Sequence, residues 1–161
     1  GDVIGRMQLA HAAEAQGIAA VEYMSGMAEA SVNYDLVPSC VYTTPEIASV
    51  GITADEAKKL GREVNTGKYV MNGNAKTVIE MQDRGFIKVV FDKETEVILG
   101  AQLMCARATD LISELVTAVS LGLTREQLGR TMRPHPTFCE GITEAVEAAN
   151  GHSIHTAPSR R

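Results

Sequence analysis

The residues best suited to chemistry lie near the end of the chain, where Pro134 and Pro136 flank His135. A residue before proline is pushed toward extended geometry, so the imidazole is expected to project from a stiff segment. Glu140 follows in the first turn of a predicted helix. A carboxylate in this position can hydrogen-bond one imidazole nitrogen and leave the other free, as a general acid/base requires.

A second interpretation of the same carboxylate stays open. The stretch Thr137-Phe138-Cys139-Glu140 has the T-x-x-E form of a capping box, in which the glutamate only satisfies a backbone amide at the helix start. Residues 53–56 have the same form and residues 124–127 have the related T-x-x-Q form, both without a neighbouring histidine. The pattern therefore supports both an acid/base pair and a simple helix cap.

The other histidines and the cysteines indicate no further site. His11 lies in an alanine-rich helix and is expected to be structural or exposed, while His152 and His155 are expected to be tail residues. Cys139 is interpreted as a small residue in the first helical turn. Since the three cysteines form no close pair, we expect no metal site, and isolated thiols favour a reducing, cytoplasmic location.

Composition excludes several classes of protein. The chain has 161 residues, of which 45% are hydrophobic and 22% charged, as is ordinary for a globular domain. A formal net charge of −5 and an aromatic content of 4% argue against nucleic-acid partners. No apolar run approaches the ~18 residues of a membrane span, so no membrane partner is expected. The sequence contains no G-x-G-x-x-G or P-loop motif for a nucleotide.

An alanine-rich helix is predicted over residues 7–24, with Gly26 as its stop. Its candidates for a packed face are Leu9, Ala13, Ala20 and Tyr23. The polar residues 29–35 then mark a change of pattern. We place a domain boundary there, which divides the chain into residues 1–30 and 31–161.

The remaining elements are segregated by type. Strands are predicted over residues 37–43, 47–51, 64–71, 86–91 and 97–104. The first strand contains Pro38 and is therefore expected at an edge. Helices are predicted after the three boxes, and apolar spacing over residues 111–119 predicts another. Strands followed by helices favour an α+β fold, with an antiparallel sheet, helices packed on one face, and a preceding helical tail.

Several ordered motifs carry a resemblance to a known family. Residues 135–140 resemble an H-P-T-x-x-E segment, and residues 42–51 resemble Y-T-x-P-E-x-A-x-V-G. Leu99-Gly100-Ala101, followed by Glu114 and Gly122, is similar to an I-L-G-A strand and its helix. These segments are typical of the flavin-dependent pyridine nucleotide-disulfide oxidoreductases. The resemblance implies that residues 31–161 are an interface (dimerisation) domain, and that residues 1–30 are a C-terminal remnant of an FAD-binding domain.

The chain's ending resembles the dihydrolipoyl dehydrogenase branch of that family. Residues 144–149 and 151–155 are similar to its E-A-x-x-x-A and G-x-x-I-H segments. Two positions depart from the family pattern, because Arg133 stands where many members have a second histidine and Cys139 where many have serine. Two alternatives stay open: a fragment of another disulfide reductase such as glutathione reductase, and a stand-alone homodimeric interaction module.

The resemblance also implies a mechanism for the complete enzyme, which would oxidise dihydrolipoamide with NAD⁺ through FAD and a redox-active disulfide. His135 would accept the thiol proton and Glu140 would orient the imidazole, in a site shared across a homodimer. Asp2 would hydrogen-bond the flavin ribityl chain. The backbone of Leu9-Ala10-His11, at the positive end of a helix, would face the flavin ring.

The implied partners are a second copy of the chain, upstream FAD and NAD domains of the same protein, and lipoyl domains of 2-oxo acid dehydrogenase or glycine cleavage complexes. The redox disulfide and the nucleotide-binding motifs are missing from this sequence. We therefore expect the chain alone to dimerise, to bind neither FAD nor NAD, and to be inactive.

Overall fold

The computed structural model describes residues 1–27, 32–82 and 85–156. The strands are β1 (Ser39–Val41), β2 (Glu46–Gly51), β3 (Val64–Val70), β4 (Phe86–Asp92) and β5 (Ile98–Cys105). The helices are α1 (Ala10–Met24), α2 (Ala54–Lys59), α3 (Ala75–Ile79), α4 (Ala108–Ser120), α5 (Arg125–Gly129) and α6 (Glu140–Ala148). The strands form one antiparallel sheet in the order β1-β2-β5-β4-β3. The predicted α+β class is confirmed, with β1 at an edge.

The two faces of the sheet differ in polarity, and this explains why helices pack on one of them. Along β4, Ile87 and Val89 are fully buried, whereas Lys88 between them faces the other side. Lys88 pairs across the sheet with Lys68 and Gln102, which continue that polar row. On the apolar face, α4 packs against β2 and β5, and α6 packs against β3 and β4.

Helix α4 is capped by a side chain from the sheet. One carboxylate oxygen of Glu46, on β2, accepts hydrogen bonds from the amide and the hydroxyl of Thr109 at 2.9 and 2.6 Å. A carboxylate at a helix start satisfies amides that have no partner within the helix and is favoured by the helix dipole. These bonds from Thr109 hold the pKa of Glu46 below its usual range. The P-E motif at Pro45-Glu46 therefore has a structural role in joining β2 to α4.

The helical tail departs from prediction in its packing. Helix α1 ends at Met24, and the predicted stop residue Gly26 follows with a φ of 70°. Only Ala12 of α1 is buried, however, and the proposed packed-face residues Ala20 and Tyr23 are exposed. The contacts of α1 come from its first half, where Gln16 donates to the Tyr34 hydroxyl at 3.1 Å. The alanine spacing identified the helix but could not show that its second half lacks a neighbour within the described residues.

Two other expectations need comment. The turn predicted at residues 72–74 is a 3-10 turn, and it leads directly into α3, a short helix that the sequence analysis missed. Its five residues are too few for an apolar period to show. The predicted boundary between residues 30 and 31 falls on residues outside the described ranges, so the division into two domains stays a prediction.

Close contact between α6 and the sheet depends on glycine. A Cβ atom placed on Gly67, in β3, would lie 1.8 Å from the carbonyl oxygen of Ala145 in α6. A Cβ on Gly141, in the first turn of α6, would lie 2.6 Å from the sulfur of Met71. Both approaches are far shorter than any real carbon contact. The absence of side chains at these two positions therefore sets the depth at which α6 lies on the sheet.

We expect Gly67→Ala to lower the free energy of unfolding by about 3 kcal/mol, because the new methyl group must push α6 away from β3. Urea-induced unfolding of the chain, followed by circular dichroism, measures this loss. Gly17→Ala, in α1, is the matched control. A Cβ there meets no atom within 4 Å, so the helix should gain about 0.5–1 kcal/mol. Unchanged stability of Gly67→Ala would contradict the packing argument.

Candidate functional site

His135 and Glu140 form the hydrogen-bonded pair that the sequence predicted. The Nδ1 atom of His135 lies 2.9 Å from Oε1 of Glu140. A carboxylate only accepts, so Nδ1 carries the proton and donates it, and Nε2 of the neutral ring is left as a free base. The His135 side chain is 71% exposed and that of Glu140 is 29% exposed. The peptide bond between His135 and Pro136 is cis.

Glu140 is not part of a capping box, although Thr137 and Glu140 were predicted to form one. The second oxygen of Glu140, Oε2, accepts from the Thr137 amide at 2.9 Å, as a box requires. The Thr137 hydroxyl, however, donates to the Pro134 carbonyl at 2.6 Å, and α6 begins only at Glu140, without a side-chain cap. The other two predicted boxes, at Thr53 and Thr124, are both complete. Glu140 therefore binds a histidine, whereas Glu56 and Gln127, at the same position of the other two boxes, complete a helix cap.

The Glu140 carboxylate is held in its anionic form. Burial acts against the charge, but the hydrogen bonds from the Thr137 amide and the His135 ring, and the positive charges that His135 and His155 carry when protonated, outweigh it and lower the pKa of Glu140. The anion accepts the Nδ1 proton of His135, so Nε2 is the nitrogen at which a further proton can arrive.

Arg133 anchors the segment that carries His135. Its side chain is only 3% exposed and forms an ion pair with Glu114 of α4. It also donates to the Thr143 hydroxyl of α6 at 2.7 Å and to the carbonyl oxygens of Leu128 and Thr131. Arg133, which departs from the family pattern, thus ties the loop to α4, α5 and α6.

The structure contains a second histidine–glutamate pair that sequence reasoning missed. Nδ1 of His155 lies 2.8 Å from Oε1 of Glu144. The other oxygen of Glu144 accepts from the Ser153 hydroxyl at 2.5 Å and from the His155 amide at 3.1 Å. His155 lies in the segment after α6, as predicted for a tail residue, but its bond to Glu144 was not predicted. Glu140 and Glu144 are four residues apart on α6 and so share a face, which is the signal that could have found the pair.

Both pairs line one open cavity of about 340 Å³, beside the buried residues Tyr69 and Asn74. Burial first, and then the negative charges of Glu144 and Glu140, raise the pKa of Tyr69. The Tyr69 hydroxyl therefore stays protonated beside the two anions. The cavity joins two carboxylates, two imidazoles and a phenol in one polar recess.

The residues predicted to face a cofactor lie elsewhere. Asp2 is exposed in a 3-10 turn, and Leu9 is the N-cap residue of α1, so Leu9, Ala10 and His11 lie at a helix start as predicted. None of them lines the cavity beside His135. Nε2 of the His11 ring lies 2.8 Å from the carbonyl oxygen of Pro38. Leu9 provides no side-chain cap for the amides of this first turn.

The cysteines carry free thiols. Burial raises the pKa of Cys105 to about 12, which makes it inert at neutral pH. Within residues 1–27, 32–82 and 85–156, no three His, Cys, Asp or Glu side chains are grouped to hold a metal ion. Among the same residues, no helix is both long enough and apolar enough to cross a membrane.

Comparison with known protein families shows which family the chain belongs to. The family model for the pyridine nucleotide-disulphide oxidoreductase dimerisation domain matches residues 37–146, which is more than half of the chain. The chain belongs to this family. The matched range includes the H-P-T-x-x-E segment at residues 135–140, and the match confirms the resemblance drawn from the sequence.

Full-length relatives extend the match beyond the domain. The chain is 44% identical over 155 residues to a dihydrolipoyl dehydrogenase of Bacillus subtilis, and this covers 96% of the chain and 33% of the relative. It is 40% identical over 156 residues to a dihydrolipoyl dehydrogenase of Trypanosoma brucei brucei, with 96% and 32% covered. The chain therefore spans about a third of the length of these relatives.

Solved structures show the same fold. LpdA from Mycobacterium tuberculosis superposes with a TM-score of 0.83 at 27% identity, covering 89% of this chain and 31% of its own. The HOCl-induced flavoprotein disulfide reductase RclA from Escherichia coli has a TM-score of 0.83 at 23% identity, with 91% and 34% covered. At that lower identity the second match supports the fold alone.

Glu144→Gln should weaken the attachment of the chain's last described segment in a pH-dependent way. Burial opposes the charge of Glu144, but the bonds from Ser153 and His155 outweigh it and lower the pKa of Glu144. A lowered carboxyl pKa contributes stability above the unfolded value of ~4.3, and this contribution is lost as the pH falls through the folded value. We expect the variant to lose about 1.5 kcal/mol at pH 7 and to lose less at pH 3, where protonation has begun to remove the charge of Glu144.

Urea unfolding at pH 7 and pH 3 measures that difference. The control is Glu147→Gln, since the Glu147 side chain, within the part of the chain that the structure describes, forms only an ion pair of 4.0 Å with the exposed His152. Such a pair contributes little, so we expect a change below ~0.5 kcal/mol at both pH values. A loss for Glu144→Gln that is equal at pH 7 and pH 3 would contradict the role of its charge.

Proposed function

We propose that this chain is the dimerisation domain of a flavin-dependent dihydrolipoyl dehydrogenase, in which it supplies the acid/base pair His135–Glu140. The observation that carries the proposal is the 2.9 Å hydrogen bond between Nδ1 of His135 and Glu140, which leaves Nε2 free and exposed. Relatives named dihydrolipoyl dehydrogenase match 96% of the chain at 40–44% identity, which supports the same assignment.

The proposed reaction converts dihydrolipoamide and NAD⁺ into lipoamide and NADH. Oxidation of a dithiol to a disulfide releases two electrons and two protons, while NAD⁺ takes up two electrons with one proton, so one proton must leave. Nε2 of His135 is placed to accept a thiol proton, because the thiolate is the form that attacks a disulfide. Glu140 keeps Nδ1 protonated and stabilises the imidazolium that results.

FAD, when bound, supplies the redox chemistry that links the thiols to NAD⁺. The chain's own donor set fits a flavin at the start of α1, since Leu9 provides no side-chain cap and the amides of the first turn have no side-chain acceptor. We assign the backbone of Leu9-Ala10-His11 to the flavin ring and the exposed carboxylate of Asp2 to the ribityl hydroxyls. Residues 1–30 then complete an FAD-binding domain, and residues 31–161 form the dimerisation domain.

A homodimer is part of the proposal. His135 is exposed, and two apolar side chains close to the pairs, Met132 and Ile154, are 96% and 81% exposed. A second copy that covered this surface would bury these side chains and would bring its own disulfide site to His135. The NAD domain, and the lipoyl domains of 2-oxo acid dehydrogenase or glycine cleavage complexes, belong to the same proposal as partners. Free thiols at Cys40, Cys105 and Cys139 support a cytoplasmic location.

A chimera tests the catalytic assignment. This chain replaces the matching third of the Bacillus subtilis dihydrolipoyl dehydrogenase, and turnover of dihydrolipoamide with NAD⁺ is measured. We expect an active enzyme, in which His135→Gln lowers the rate by about 10²–10⁴-fold because the proton acceptor is lost. Glu140→Gln should cost less, since the imidazole stays in place without its anion. Both variants should keep bound FAD and the dimer.

The control for these variants is His152→Gln, whose exposed ring lies outside the cavity. Near-wild-type turnover for His135→Gln would remove the acid/base assignment. A chimera that is inactive with dihydrolipoamide but reduces glutathione disulfide would instead assign the chain to a glutathione reductase. A folded chimera inactive with both substrates would favour an interaction module.

We expect the 161-residue chain to sediment as a homodimer at tens of micromolar. A stable interface of this kind would bury at least ~1,000 Å² of accessible surface. Met132→Glu should shift the equilibrium toward monomer by placing a charge in the covered surface. Leu60→Glu is the matched control, since Leu60 is an exposed apolar residue at the end of α2, outside the cavity. A monomeric wild-type chain would contradict the proposed assembly.

A further inference from the structure

We propose that Asn74 is a positioning residue for the acid/base pair: it holds the backbone of Thr137, and Thr137 in turn holds Glu140. The inference rests on the proposed function, because it assigns a role within the same proton-transfer site. Asn74 lies between β3 and α3, on a part of the chain with no local connection to the His135 segment.

The amide of Asn74 is fixed at both of its ends. Its nitrogen Nδ2 donates to the carbonyl oxygen of Thr137 at 2.9 Å. Its oxygen Oδ1 accepts from the amide and the hydroxyl of Thr77 at 2.9 and 3.0 Å. These partners assign the oxygen and the nitrogen of the side-chain amide. The Thr77 amide and hydroxyl need an acceptor, and the Thr137 carbonyl needs a donor. Asn74 and Thr77 are only 4% and 3% exposed, so these bonds are largely shielded from solvent.

Thr137 is the link between Asn74 and the site. Its carbonyl oxygen accepts from Asn74, and among the described residues no other donor reaches it. Its amide donates to Oε2 of Glu140 at 2.9 Å. Both bonds belong to one residue, so a shift of the Thr137 backbone moves the donor that holds Glu140. Glu140 would then lose its alignment with Nδ1 of His135.

Two roles of Asn74 can be separated by substitution. Asn74 also caps α3, through Oδ1, and a loss of this cap would affect stability alone. Serine is a good cap and can still accept from Thr77, but it is too short to reach Thr137. Aspartate has the size of asparagine and keeps the acceptor, but at neutral pH its second oxygen cannot donate. Both variants therefore remove the link and keep the cap.

The first measurement uses the chimeric enzyme described above. We expect Asn74→Ser and Asn74→Asp to lower kcat by roughly 10- to 100-fold, with little change in the KM for NAD⁺, because a misplaced base slows the proton transfer itself. The control Asn72→Ser makes the same change on an exposed neighbour and should be silent. Wild-type kcat in both Asn74 variants, or an equal loss in Asn72→Ser, would overturn the proposal.

The second measurement is independent of activity and uses the 161-residue chain. The ¹⁵N shifts of the His135 ring at pH 8 report its tautomer, which Glu140 should hold as the Nδ1–H form in wild type. We expect Asn74→Ser to show a mixture with the Nε2–H form and faster exchange of the Thr137 amide. An unchanged tautomer and unchanged exchange would overturn the role of Asn74. An inactive wild-type chimera would contradict the proposed function. The tautomer and exchange measurements would still show whether Asn74 positions the pair.

Discussion

The close approach of α6 to the sheet is the constraint on which the site depends. Gly67 leaves no room for a side chain against the Ala145 carbonyl, and Gly141 leaves none against Met71. The helix is therefore held at one depth over β3 and β4. Since Glu140 and Glu144 both project from α6, its position decides where each carboxylate meets its histidine. Because the interior is densely packed, the absence of side chains at these two glycines fixes where the two carboxylates lie.

The carboxylates show how one helix face can serve two purposes. Glu140 binds a histidine whose ring is exposed and has a free nitrogen, whereas Glu144 binds His155 and Ser153 and fastens the end of the described chain. Both anions are stabilised by donors that outweigh the cost of burial. The chemistry of the two pairs is alike, and their difference in role comes from what surrounds the ring.

Several contacts that support the site join distant parts of the chain. Glu46 of β2 caps α4 through Thr109, and Arg133 ties the His135 loop to Glu114 of α4. Asn74 reaches across to the carbonyl of Thr137. The loop before α6 is thus held by elements from both halves of the sheet, which gives an exposed histidine a fixed geometry without a rigid secondary structure of its own.

The sequence by itself determined the α+β class and the five strands, and it named His135 and Glu140 as candidates for a pair, because these depend on local apolar period, proline geometry and nearby spacing. It also predicted capping boxes, of which those at Thr53 and Thr124 are present. Only the tertiary structure decided that Glu140 serves a histidine rather than a cap, that His155 meets Glu144, and that Asn74 supports Thr137. Those contacts depend on how separate elements pack, and no local pattern records which side chains will then lie within hydrogen-bonding distance.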